Sequence, residues 1–359
     1  MSKNTNGLQI KITGESHSDK IELELKGIKT GEQIDLAALQ NYIHRRTAHG
    51  DGLSTGRAED DLLHITGGIK NGAVTGDITA YVKNTKQNPA DYENLRNLPR
   101  PSHADYPAMV KDITDLLPGG GRFSGRLSVM TVAVGGIAAQ ILQKRGIISA
   151  AHILCVGDIC DTPYVPTDPQ TDLLQNLLAQ SFPVIDPAAK QKMQDEILRV
   201  ESLGDSIGGV VEYKAQGLPV GLGDNLCGGL ESAISSAVFG VPAVKGIEFG
   251  AGFNITKMTG SAANDQYAVK DGKIVTVTNN SGGILGGMAN GMPLIFRAAV
   301  KPTPSISLPQ KTVNLKTLKE QTIQISGRHD PCVAPRAAIA IEAAANTAIL
   351  DLMIKEGRI

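Results

Sequence analysis

Polar and apolar residues alternate at the start of the chain. Leu8-Gln9-Ile10-Lys11-Ile12 and Ile21-Glu22-Leu23-Glu24-Leu25 each put every second side chain on one face, the period of a half-buried strand. Gly14-Glu15-Ser16-His17-Ser18-Asp19 lies between them and reads as a turn. Asp35 is placed to cap a helix running to about Arg46. Residues 47–60 are polar and glycine-rich, the composition of a loop. Further strands are predicted near 62–66 and 77–82, with Gly67-Gly68 and Asn71-Gly72 as turn signals.

Two segments break this alternation. Leu127 to Lys144, ending at Gly146, is apolar nearly all round, and so is Ala337 to Leu352. Helices of that kind are enclosed on most sides. Residues 161–190 are rich in Pro, Asp and Gln and read as a surface excursion. Lys190 to Leu203 has an amphipathic helical period, and Leu226 to Val238 also reads as helix. Strands are predicted at Gly209 to Ala215, near 243–249, 273–278 and 293–300, and at Thr322-Ile323-Gln324-Ile325. No linker divides the chain. The expectation is one α+β domain over 1–359, with two buried central helices and strands outside them.

Composition narrows the function classes. The 359 residues suffice for a sizeable core. With 35 Lys and Arg against 36 Asp and Glu, the net charge of −1 argues against a nucleic-acid binder. The four cysteines, Cys155, Cys160, Cys227 and Cys332, form no CxxC pair and no zinc spacing. They predict reduced thiols in a cytoplasmic protein. No basic flank and apolar run marks a signal peptide. The apolar stretches near 127–142 and 337–350 are short or interrupted for a bilayer span of roughly 20 residues, so no membrane is expected.

Five segments carry chemistry. His17 in Gly14-Glu15-Ser16-His17 sits in a turn where it can face a cleft and move a proton near neutral pH, or simply be solvated. Arg100-Pro101-Ser102-His103-Ala104-Asp105 holds a second histidine, beside an Asp that either fixes its tautomer or caps the next helix. Gly119-Gly120-Gly121-Arg122-Phe123-Ser124-Gly125-Arg126 combines close-approach glycines with two arginines before a helix, which suits an anion. It has neither the P-loop nor the dinucleotide pattern. Ser281-Gly282-Gly283-Ile284-Leu285-Gly286-Gly287-Met288-Ala289-Asn290-Gly291 can take a flat ring against its backbone, or form a tight packing corner, and Lys301, Thr303 and Ser305 can hold a phosphate. In Arg328-His329-Asp330-Pro331-Cys332, Asp330 is a base, a partner for Arg328, or a helix cap. Together these suit a phosphorylated substrate and a second phosphorylated ligand, with acid–base chemistry between them.

These blocks resemble the chorismate synthase family. They run through nearly the whole chain: GESH at 14–17, RPSHADY at 100–106, GGGRFSGR at 119–126, GDSIGG at 204–209, AVKGIEFGAGF at 243–253, GGILGGMANG at 282–291, KPTPSI at 301–306 and GRHDPCVAPRA at 327–337. The resemblance implies a β-α-β sandwich, a helical layer between outer antiparallel sheets. It also implies a cytoplasmic homotetramer of the shikimate pathway, which supplies aromatic amino acid biosynthesis. The implied reaction is the 1,4-anti elimination of phosphate from 5-enolpyruvylshikimate 3-phosphate, giving chorismate with reduced FMN (FMNH2) as transient electron donor. No metal is implied.

The resemblance also assigns roles. His17 protonates the departing phosphate, His103 serves the reduced flavin, and Asp330 relays the proton lost from the substrate, with Ser16. Arg46, Arg57, Arg126 and Arg328 contact substrate anions. Arg122, Phe123, Ser124, Gly286, Lys301, Pro302, Thr303, Pro304, Ser305 and Arg328 adjoin the flavin. Some members reduce their flavin with NADPH. No reductase segment is apparent here, so an external flavin reductant is expected. The chain departs from the family pattern at Ser18 and Ser102, where glycine is usual, at Phe123 and Gly125, usually Ser and Ala, and in Thr47 to Gly52, usually richer in Arg and Pro. Those departures predict altered affinity with the chemistry kept. The rivals are a non-catalytic flavin- or anion-binding relative, and a metal-dependent hydrolase, for which no HxH or HExxH spacing exists.

Overall fold

The computed structural model describes residues 7–47, 53, 60–84, 93–112, 114–325 and 330–359. In chain order the main elements are β1 (Gln9–Thr13), β2 (Lys20–Lys26), α1 (Leu36–His44), β3 (His64–Lys70), β4 (Ala73–Lys83), α2 (Asp105–Asp112), α3 (Ser128–Gln143), β5 (Ile148–Val156), β6 (Ile159–Cys160), α4 (Thr171–Leu178), α5 (Pro187–Ser202), β7 (Gly209–Gln216), α6 (Leu230–Phe239) and β8 (Val244–Phe249). The chain continues through α7 (Gly260–Ala263), β9 (Tyr267–Lys270), β10 (Lys273–Thr276), β11 (Ile284–Leu285), β12 (Met288–Ala289), β13 (Leu294–Val300), β14 (Gln310–Asn314), β15 (Lys319–Ile323) and α8 (Ala334–Lys355).

Two antiparallel sheets enclose a helical layer, as expected for a β-α-β sandwich. One has the order β1-β2-β4-β3 and the other β6-β5-β7-β13-β8. In β2 the alternation works as the sequence implies: Ile21, Leu23 and Leu25 are buried, while Lys20 is exposed and the glutamates between them are half-buried. Between the sheets α3 packs on α8, with α8 against β5 and β7 and α3 against β2. The two helices approach so closely that a Cβ on Gly135 would overlap Ala343. That explains the small residues on both. Both helices are long and apolar enough to cross a membrane, but most of each is buried inside the fold. One buried cluster draws on β2, α3, β5, β7 and α8.

Polar tethers fix α8 to the second sheet. Asn346 Oδ1 accepts from Ser149 Oγ at 2.6 Å and from Tyr213 OH at 2.7 Å. Glu342 accepts from the backbone of Ala151 at 2.8 Å and from Arg45, at the end of α1, at 2.6 Å. Asp35 caps α1 as read from the sequence, accepting from Ala37 and Ala38 N–H groups.

One strand escaped the sequence reading, and several expectations are corrected. The strand β5 has no alternating pattern because both its faces are covered, so its sequence reads only as an apolar run. The presumed excursion at 161–190 contains α4, whose Leu174 and Leu177 form a second small core with Ala150, Tyr164 and Ile295. The helix expected from Leu226 starts at Leu230, after a short 3₁₀ turn at Leu226–Gly228. The cysteines are not all reduced: Cys155 and Cys160 are disulfide-bonded. They face each other across β5 and β6, joined by the two-residue turn Gly157-Asp158. A Gly-Asp pair between apolar residues is itself a hairpin signal and sets those cysteines opposite one another. Cys332 is a buried thiol pushed up to about 12, chiefly by burial, as suits a packed residue.

A row of charges crosses the second sheet. His152, fully buried, meets Asp161 Oδ2 through Nδ1 at 3.0 Å and Glu212 Oε2 through Nε2 at 3.0 Å. Glu212 also accepts from Arg297 Nε at 2.9 Å. Burial alone would lower the histidine's pKa, but its two carboxylate partners raise it above the ordinary 6.5. The same contacts overcome burial to hold Asp161 and Glu212 below their ordinary 3.8 and 4.5. The imidazolium therefore contributes fully below pH 6.5 and its contribution is lost as pH rises through the raised value. The carboxylates contribute above their ordinary values and lose that contribution in acid. Urea unfolding should show stability falling on the alkaline side. His152→Gln should cost about 3–5 kcal/mol below pH 6.5, where the imidazolium contributes fully, by leaving buried carboxylates without their cation, and should flatten that alkaline slope. An unchanged slope in the variant contradicts this reading.

Candidate functional site

A cavity of about 410 Å³ opens where both central helices begin. That lies within the range of roughly 300–1,000 Å³ usual for small-molecule sites. Its walls come from the β1–β2 turn, residues 100–104, residues 119–128, residues 301–305, and the approach to α8 with that helix's first turns.

The triple glycine lies between the two histidines. Gly119, Gly120 and Gly121 have φ of 59°, 90° and 51°, the left-handed region open to glycine at little cost. A Cβ on Gly119 would collide with Ser16 Oγ and the His17 ring, and one on Gly120 would sit 2.9 Å from His103 Cε1. Ser16 N–H donates to Gly121 O at 3.1 Å, which docks the β1–β2 turn on this loop. Ser16 Oγ lies 2.6 Å from His17 Nδ1. The helix α3 starts only at Ser128, after a 3₁₀ turn. The glycines therefore give room to the histidines, a use that the sequence did not suggest.

His103 is held from behind. Its Nδ1 is 2.6 Å from Asp105 Oδ1. Asp105 also takes Arg100 through Nε at 2.7 Å and Nη2 at 2.8 Å. Burial alone would raise this carboxyl, but hydrogen bonds from Arg100 and His103 hold it well below the usual range. An ionised Asp105 accepts from Nδ1–H, leaving Nε2 as the nitrogen able to exchange a proton with a ligand. Asp105 thus fixes the tautomer while standing in the first turn of α2. Ser102 has φ 57°, a strained value for a serine and the reason glycine suits this position. Its carbonyl accepts from Lys301 Nζ.

A third wall is cationic. Arg46, only 1% exposed, donates from Nε to Ser128 Oγ at 2.9 Å, from Nη2 to Gly125 O at 2.9 Å and from Nη1 to Asp61 Oδ2 at 3.1 Å. Arg126 donates to Asp61 Oδ1 and, from Nε, to Asn84 Oδ1 at 2.9 Å. Across the cavity Asp330 accepts from Arg336 Nη1 at 3.0 Å. The N-cap of α8 is Val333, without a side-chain bond, so Asp330 does not cap it.

The cavity thus gathers Ser16, His17, Arg46, His103, Phe123, Ser124, Arg126, Lys301, Thr303, Pro304, Ser305 and Asp330. It also takes in Arg100 and Arg336, to which the sequence reading gave no role. Three candidates are not on its lining. Arg122 pairs with Asp112 at 2.8 Å and lies over the Phe123 ring. Pro302 is exposed beside it. Gly286 makes the tip of the β11–β12 hairpin, where its φ of 60° meets the needs of the turn. Arg57, Arg328 and His329 lie outside the described residues. Burial, with Lys245 nearby, lowers the pKa of Lys301. Thr303 Oγ1 is buried with no hydrogen-bond partner among the described residues. Those residues contain no group of three His, Cys, Asp or Glu able to hold a metal.

The chorismate synthase family profile matches residues 8–354. The chorismate synthase of Thermococcus kodakarensis is 39% identical over 351 residues, covering 97% of this chain and 96% of the relative. That of Methanothermobacter thermautotrophicus is 39% identical over 361 residues, covering 99% and 95%, and that of Pyrococcus abyssi 41% over 338 residues, covering 93% and 92%. A crystal structure of a chorismate synthase superposes with a TM-score of 0.76 at 22% identity, covering 98% of this chain and 92% of that one, which speaks for the fold. With profile, full-length relatives and architecture in agreement around a pocket that holds both motif histidines, the chain belongs to the chorismate synthase family.

Proposed function

We propose that this cavity carries out the family's reaction, the 1,4-anti elimination of phosphate from 5-enolpyruvylshikimate 3-phosphate to give chorismate. The carrying observation is the meeting of His17, His103 and Asp330 with the Arg46–Arg126 wall around one cavity. Binding without catalysis would not need two histidines each backed by a hydrogen-bond partner.

Arg46 and Arg126 hold the substrate's anionic groups, and Arg57 and Arg328 are assigned to them by family position. Guanidiniums fixed before the reaction stabilise charge gathering on a leaving phosphate without reorganising. His17, steadied at Nδ1 by Ser16, gives its proton to the departing phosphate. His103, held by Asp105, presents Nε2 towards the cofactor. Asp330 accepts the proton lost from the substrate, and Arg336 orients it. Reduced FMN, when bound, supplies electron density that offsets the positive charge developing on the allylic carbon, with no net change in flavin oxidation state. The residues fit such a group: Thr303 Oγ1 is buried without a partner among the described residues, on a lining that it shares with Lys301, and the two could take a flavin phosphate. Phe123, Ser124, Pro304 and Ser305 complete that side. Arg122, Pro302, Gly286 and Arg328 join the flavin site only by family position.

The chain acts as one domain, and we assign it a homotetrameric state. Tyr267, Val269, Ile274 and Val277 are each more than 60% exposed on and beside the β9–β10 hairpin, an apolar surface suited to a second copy. Sedimentation at the mass of four chains is expected; a monomer would contradict it. The flavin is reduced from outside, NADPH-dependent self-reduction being the alternative. The cytoplasmic assignment loses the support of the thiols at Cys155–Cys160 and rests on the biosynthetic role.

An anaerobic assay with reduced FMN and substrate tests the reaction. Wild-type protein should release phosphate, and His17→Ala should slow release by about 10²–10⁴-fold. Gly119→Ala should lose about 10²-fold by displacing Ser16 and His17, whereas Gly76→Ala, with nothing near its Cβ position, should match wild type. Release no faster from wild type than from His17→Ala would sink the proposal.

A further inference from the structure

We propose that Asp61 is a positioning residue for phosphate recognition, a single buried carboxylate that locks Arg46 and Arg126 into one paired anion receptor. This rests on the assignment of those arginines to the substrate. Neither motif nor pattern singles out Asp61, which sits in the polar run Glu59-Asp60-Asp61.

Its geometry distinguishes it from a surface counterion. The side chain is wholly buried, yet carries a full set of charged partners. Oδ2 accepts from Arg46 Nη1 at 3.1 Å and from Thr47 Oγ1 at 3.1 Å, and Oδ1 accepts from Arg126 Nη1. Burial alone would raise its pKa; the two guanidiniums overcome this and hold it ionised, below the ordinary carboxylate value. Asp61 is also held at φ 42°, in the left-handed region. Such backbone persists only where neighbours over-determine it. Gln40 does so from α1, donating from Nε2 to Asp61 O at 3.0 Å and accepting from Leu63 N at 2.9 Å.

The consequence reaches the acid. Two like charges side by side repel, and without a shared counterion they would splay or need the substrate to hold them together. Asp61 joins them in advance and leaves their other donors directed by Ser128, Gly125 and Asn84. Asn84 then donates from Nδ2 to Ser16 O at 3.1 Å. A continuous run of bonds therefore links Arg46, Asp61, Arg126 and Asn84 to the turn that carries His17. A phosphate seated on the arginines is thereby placed relative to the group that protonates it.

The test uses full-length protein with inorganic phosphate as probe, read by calorimetry, alongside FMN affinity by fluorescence and steady-state kinetics. Asp61→Asn should weaken phosphate at least tenfold and raise KM by a similar factor, with kcat falling less and FMN affinity within twofold of wild type. Asn84→Ala should weaken phosphate about threefold, and the double variant should show less than the product of the two effects. Unchanged phosphate affinity in Asp61→Asn overturns the proposal, and so does a parallel loss of phosphate and FMN binding with a lowered melting temperature. Should Asp61→Asn not fold, Asn84→Ala decides: threefold weakening of phosphate alone supports the proposal, and no change overturns it. A wild-type protein that binds phosphate but makes no chorismate would refute the functional reading while leaving the phosphate comparison to judge Asp61.

Discussion

Three loops from distant parts of the chain can meet only because Gly119 and Gly120 have no side chains. The space that their Cβ atoms would fill is taken by Ser16 and His17 from one side and by His103 from the other. The remaining geometry follows from that contact. The β1–β2 turn docks through the Ser16 N–H on Gly121, which ties the first sheet to the segment leading into α3. Since α3 packs on α8 with no room for more than a hydrogen at Gly135, the start of α8 is brought to the same place, with Asp330 and Arg336. The sandwich thus sets the cavity at the end of its helical layer, where loops docked on one another hold the candidate groups.

Charge is used in this protein chiefly to fix position. Several of the groups to which we assign reactive or anion-binding roles have an opposite charge or a hydroxyl behind them: Asp105 behind His103, Ser16 beside His17, Arg336 beside Asp330, Asp61 between Arg46 and Arg126. In a partly desolvated site such pairs are stronger than in water, and an unmatched member is correspondingly costly. The His152 row in the second sheet obeys the same rule but is not part of the cavity's lining, so its effect is on stability. The same physics gives structure in one place and chemistry in the other, depending on whether one side of the pair remains open to a ligand.

The sequence was most legible where burial is one-sided or complete over a long helix. The alternation of β2 and the apolar run of α8 stand as read. Motif histidines were also legible, because their blocks keep order and spacing along the chain. Strand β5 was hidden by having two covered faces, and α4 by the polar residues around it. Asp61 could not be chosen over the adjacent Asp60, since only the folded path decides that Asp61 is buried and Asp60 exposed. Arg336 was visible next to the Asp330 motif, but its partnership depends on the first turns of α8. The glycine loop was recognised for the right property, close approach, but the sequence did not show that Ser16, His17 and His103 are what approach Gly119 and Gly120.

A single anaerobic turnover, following phosphate, chorismate and the flavin spectrum together, tests most directly whether these residues form one site for a redox-neutral elimination. One phosphate and one chorismate are expected for each substrate consumed, with the flavin still reduced at the end. Flavin oxidised in proportion to product, or phosphate released without chorismate, would contradict this reading.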